Sequence, residues 1–137
     1  MVALNLGTGV TPGADAQLDP NGIAGEAILA GHLVYEDPAD NGRLHLASDA
    51  DVNHANVKGV AIGSAPTVNQ RVTVQYGGTV ENTATMVVGE SYFAADTPGL
   101  AAPAADVGAA DVVTFLGVAV KATSLKLGIF RSGVAHA

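Results

Sequence analysis

The chain has 137 residues, enough for one domain with a single core; 48% are hydrophobic but only 4% aromatic, with no Trp and no Cys. A core of closely packed Val, Leu, Ile and Ala is therefore expected, and disulfide frameworks and thiolate metal sites are excluded. A formal charge of −7 with only six Lys and Arg argues against a nucleic-acid partner, which needs clustered positive charge.

Residues 1–22 differ from the rest. Gly7, Gly9, Gly13, Gly22, Pro12 and Pro20 recur without helical or strand period, and the segment is expected to be an extended arm. Within it Val2, Leu4 and Leu6 alternate, enough for one short strand that a neighbour's open sheet edge would accept. They are the candidate interface residues. Neither a basic region nor a continuous apolar stretch marks this end as a signal peptide, and no apolar run is long enough for a membrane helix.

Strand signals dominate from Ile23 to the end, a domain expected to span 23–137. Ala27 to Glu36 reads as one strand with a bend at Gly31, followed by an Asp37 to Gly42 turn in which Asn41-Gly42 supplies positive φ. Leu44 and Leu46 are expected to face the core, with Arg43 and His45 outward. Val57 to Ile62 is a third strand. Val72, Val74 and Tyr76 alternate with Thr73 and Gln75, which predicts a half-buried fourth. Thr85 to Ala94 then reads as a strand, Asp96-Thr97-Pro98-Gly99 as a turn, and Val112 to Val120 and Leu125 to Ile129 as two more strands. Pro103 and Gly108 argue against a long helix in the Ala-rich stretch 101–110.

The two runs share landmarks in the same order. Gly31 and Gly89 lie 58 apart, Leu44 and Leu100 56, Gly59 and Gly117 58, and Gly78 and Gly133 55. One small β-unit written twice predicts an all-β fold: a small barrel of about eight strands in two similar halves, about 23–80 and 81–137, with the extended arm in front. Two copies are too few for an open solenoid, and closure removes free sheet edges.

Motifs for chemistry are sparse. His32, His45 and His54 share one half with Asp37, Asp40, Asp49 and Asp51, but not at the close spacing of zinc ligands on one helix or strand face. Asp49-Ala50-Asp51-Val52-Asn53 superficially resembles a calcium loop, yet His54 and Ala61 stand where Gly and Glu are needed, which favours a turn capped by Asp side chains. There is no Gly-x-Ser-x-Gly, no phosphate loop and no dinucleotide fingerprint. No enzyme, cofactor or metal is expected.

Gly25 to Val34 resembles the opening strands of barrel-sandwich domains such as lipoyl and biotinyl carriers, which present a lysine on a hairpin tip; Lys58, Lys121 and Lys126 fall at strands instead. A broader likeness covers about Ile23 to Gly133. Ala30 to Val34, Val57 to Ala65 and Val72-Thr73-Val74 with Gly78, followed by Gly89 to Phe93, Asp96 to Pro103 and Leu116 to Ala119, resemble the capsid decoration, or cement, proteins of tailed phages. The resemblance implies a non-catalytic β-barrel bound to the major capsid protein on the capsid exterior of the virion, often as a homotrimer, stabilising the shell without contacting nucleic acid or membrane. In that setting Val2, Leu4 and Leu6 would contact the capsid or a neighbouring subunit. A tail or fibre subunit, or a carbohydrate-binding β-module, is the alternative.

Overall fold

The computed structural model describes residues 4–104 and 111–135. Its strands are β1 (Thr11–Pro12), β2 (Gln17–Ile23), β3 (Leu33–Asp37), β4 (Arg43–Leu46), β5 (Val57–Ala61), β6 (Arg71–Glu81), β7 (Ser91–Ala94), β8 (Ala101–Pro103), β9 (Val112–Lys121) and β10 (Ser124–Ala135). Pro38–Asp40 is a 3-10 turn capped by Asp37, whose side chain accepts from the Ala39 N–H.

Eight strands form one curled antiparallel sheet, a half-barrel, in the order β4-β3-β5-β6-β10-β9-β7-β8. That order reads the same from either end once β3, β4, β5 and β6 are matched with β7, β8, β9 and β10. The chain is thus two similar four-strand halves joined through β6 and β10. Their registers repeat as well. Leu33 pairs with Val60 and Val34 with Gly59, followed by a bulge and then Tyr35 with Val57. Exactly 58 residues on, Ser91 pairs with Val118 and Tyr92 with Gly117, followed by a bulge and then Phe93 with Phe115.

The turns that open β3 and β7 are also equivalent. Gly31 and Gly89 hold φ of +91° and +86°, a region open to glycine at little steric cost. Each donates its N–H to the matching carbonyl, Ala61 or Ala119, at 2.8 Å, and each carbonyl's own residue donates back to His32 O or Glu90 O. Gly59 and Gly117 sit where a Cβ would strike a neighbouring strand's backbone, at Gln75 O and Lys126 O respectively. Beyond them the offset falls from 58 to 51, because loop 62–70 is seven residues longer than loop 122–123. Gln75 and Lys126, rather than Gly78 and Gly133, are the matched positions: they pair with Val60 and Val118.

Two strands come out shorter than the sequence suggests. Residues 24–30 are not continuous with β3 but form a separate cover, held by a two-way hydrogen bond between Ile28 and Ala65 and by Gly25 N–H to Leu44 O. Similarly only Ser91–Ala94 of 85–94 is strand. In both places the positive-φ glycine reverses the chain before the strand begins.

Two apolar clusters result. Ala24, Ile28, Val34, Leu44, Ala61, Ala65, Val72 and Val74 fill the smaller one, inside the first half. The larger spans both halves, with Leu33, Tyr35, Val57 and Val60 from the first and Tyr92, Leu116, Ala119 and Leu125 from the second.

In β6 Val72 and Val74 are buried as expected, but Gln75 and Tyr76 depart from the expectation. Gln75 is fully buried and Tyr76 is 46% exposed. β6 bends at Gly77-Gly78, and the Gln75 Nε2 donates to Gly77 O at 3.0 Å and Thr79 O at 2.9 Å, bracing the corner from inside.

Candidate interaction surface

The arm is docked on its own chain. β1 and β2 pair with β6, and Leu4 forms a bridge with Ala101 through bonds of 2.6 and 2.9 Å. Leu6 is 1% exposed and Val10 5%, both in the larger core. Leu6 O also accepts from Thr83 N–H at 3.0 Å. Of the three candidate interface residues, Leu4 and Leu6 are therefore engaged within this chain, and Val2 lies outside the described residues.

Polar side chains cluster at three places. His45 is not turned to solvent as its alternation suggested. It sits at the β4 edge between two carboxylates, with Nδ1 2.9 Å from Glu26 Oε2 and Nε2 2.8 Å from Asp40 Oδ2. Burial works against its charged form, but these carboxylates outweigh it and hold its pKa above the usual imidazole value. Lys58 bridges Asp19 at 2.7 Å and Glu36 at 3.2 Å. Asp51 caps its own loop, accepting from the His54 N–H at 2.9 Å as an Asp-capped turn should. Among the described residues no group of three or more His, Asp or Glu side chains is arranged to hold a metal ion.

The third place is the seam between the halves. Asp49 is 2% exposed, its N–H donating to Ala95 O and its carbonyl accepting from Val112 N–H, both at 3.0 Å. Burial, then the neighbouring Asp111 and Asp96, raise the Asp49 carboxyl to about 6.

The surface that stands out is apolar. Leu33, Tyr35, Val57, Val60 and Gln75 form one face of the first half, all 4% exposed or less. The matching positions in the second half are Ser91, Phe93, Phe115, Val118 and Lys126, and none of them is buried. Phe93 and Phe115 pack edge to face at 5.7 Å, and Phe115 pairs across the strands with Phe130, which is 67% exposed. All three phenylalanines of the chain thus lie in one row across β7, β9 and β10. Sequence reading missed this row because the three lie far apart in the chain; the signal available was Ser91 and Lys126 standing where the first half has Leu33 and Gln75.

No family model matches the chain, and no curated protein matches it.

Proposed function

We propose that this chain is a structural protein of a phage virion, a capsid decoration protein that binds the outer surface of the shell and stabilises it, with copies arranged as homotrimers. The observation that carries this reading is the ordered set of landmarks running from about Ile23 to Gly133, which resembles that family; within it Gly31 and Gly89 fall at matched turns, and Gly59 and Gly117 at matched close approaches. A β-fold with a broad apolar face and an acidic charge suits a protein whose work is adhesion rather than catalysis. Imaging of the virions whose genome encodes the chain tests the reading. Density matching the half-barrel is expected on the outside of the shell; its location in the tail, or its absence from the particle, overturns it.

A second reading, a carbohydrate-binding module, draws on the groove of about 590 Å³ lined by Leu18, Asp19, Pro20, Asn21, Glu36, Lys58, Tyr76 and Arg131. Tyr76 offers an exposed ring there, beside amide, carboxylate and guanidinium groups. Binding to a glycan array that is lost in Tyr76→Ala would favour it.

A further inference from the structure

We propose that the aromatic face of the second half, Phe93, Phe115 and Phe130 with Val118 and Lys126, is covered by a second copy of this chain. The inference deepens the homotrimer in the reading above by assigning the surface through which copies meet.

Three observations carry it. The first is the internal comparison. The same cross-strand positions in the first half, Leu33, Tyr35, Val57 and Val60, are covered within the chain, where they join a cluster with Tyr92, Ala119 and Leu125 of the second half. A sheet of this unit is therefore an occupant that this kind of face already accepts. The second is that the described residues do not bury the second half's face in the same way. Phe130 is left 67% exposed and Val120 46%. A row of ring edges and faces in water is an ordinary mark of a protein contact.

The third is charge. The chain carries −7, with 13 acids against six bases, so copies repel over most of their surface. Strands β7, β8, β9 and β10 nevertheless contain no carboxylate, and Lys126 adds a cation to the aromatic face, while Arg131 turns its guanidinium to Val57 O on the other side. By contrast the strands of the first half carry Glu36, Asp37 and Glu81. The strands of the aromatic sheet thus bring no carboxylate of their own to a contact between two acidic copies, and Asp15 and Glu81 lie at its edge beside Val120 and Lys121.

The salt dependence follows from this arrangement. Contact is apolar, and the opposing force is long-range repulsion between net charges. Raising ionic strength from about 50 mM to about 500 mM screens that repulsion and tightens association, the reverse of an interface held by ion pairs.

Sedimentation equilibrium of the full chain, at both salt concentrations, is the test. Association that strengthens with salt is expected. Phe130→Ser should weaken it at least about tenfold, as loss of an interface aromatic does, and Lys126→Glu, which places a carboxylate on the face, should do likewise. Both positions are exposed, so thermal unfolding of each variant should match the parent. Val68→Ser, on the exposed loop before β6, should leave association unchanged. A monomer at every concentration and salt overturns the proposal. So does an oligomer that is indifferent to Phe130→Ser, or one that weakens as salt rises. No capsid enters this experiment, so its failure leaves the decoration reading standing, and particles lacking the protein leave this proposal standing.

Discussion

The two halves share strand order, register, bulges and turn glycines, and differ in what lies against one face. In the first half that face is built of Leu33, Tyr35, Val57, Val60 and Gln75 and is sealed; in the second it is built of Ser91, Phe93, Phe115, Val118 and Lys126 and is not. Backbone pairing and side-chain burial are therefore separable. The two units share a hydrogen-bond framework, while the face that is fully buried in one is partly exposed and carries two phenylalanines and a lysine in the other. What the difference teaches is that repeats within one chain need not be equivalent in function. One half's face serves folding, and the other's is free to serve association.

The sharpest way to break this comparison is to remove the arm, which belongs to neither half by sequence but adds Leu6 and Val10 to the shared core. Deleting residues 1–10 is expected to cost several kcal/mol, from about 1.5–3 kcal/mol for each buried apolar side chain, measured by urea unfolding. A truncated chain as stable as the parent would mean that the arm only rests on the barrel. Next comes the matched pair Leu33→Ala and Ser91→Ala. The first should cost about 2–5 kcal/mol through loss of packing and a residual cavity, and the second should stay within about 0.5 kcal/mol. Equal effects would contradict the sealed-versus-open distinction.

Gly59→Ala and Gly117→Ala probe what the halves have in common. Each added methyl meets backbone of the adjacent strand, so each should destabilise by about 1–3 kcal/mol and by similar amounts. A large disparity between the two would show that the repeated close approach is not equally rigid in both halves.

The smallest expected effect concerns the seam. The Asp49 carboxyl is raised to about 6 in the folded chain, above its ordinary 3.8. Between these values the native state holds the proton more tightly than the unfolded one. The resulting stabilisation is complete below about pH 4 and is lost as pH rises through about 6. Asp49→Asn should therefore raise the melting temperature at pH 7.5 and flatten the profile between pH 4 and 7. An unchanged profile would place the titration elsewhere.

Much of the architecture was legible in the sequence because it rests on backbone chemistry. The glycines at 31, 89, 59 and 117 mark places that a side chain cannot easily occupy, and the strand signals located β5 and β9 to within a residue and the starts of β6 and β10, which run on to Glu81 and Ala135. Side-chain environment was less legible. Alternation says that Val74 and Gln75 face opposite ways, but not that both faces of β6 are covered, so buried Gln75 read as exposed. His45 likewise read as solvated, since Glu26 reaches it from 19 residues away. The exposed aromatic row was the least legible. Phe93, Phe115 and Phe130 become neighbours only through strand pairing, whereas Val2, Leu4 and Leu6 drew attention by lying together in sequence.

The docking of the arm bears on the order in which the molecule can be completed. Leu4 and Leu6 leave the ribosome before almost everything they touch, yet their partners are Ala101 and Thr83, in the half made last. During synthesis the first half can assemble its own cluster around Ile28 and Val74 and pair β1 and β2 with β6, while the tip of the arm at Leu4 and Leu6 waits for the second half to emerge. Closing so long a loop is slow compared with forming a hairpin. The tip of the arm is thus the last piece to lock, and a nascent or nicked chain lacking its C-terminal half would leave Leu4 and Leu6 without these partners.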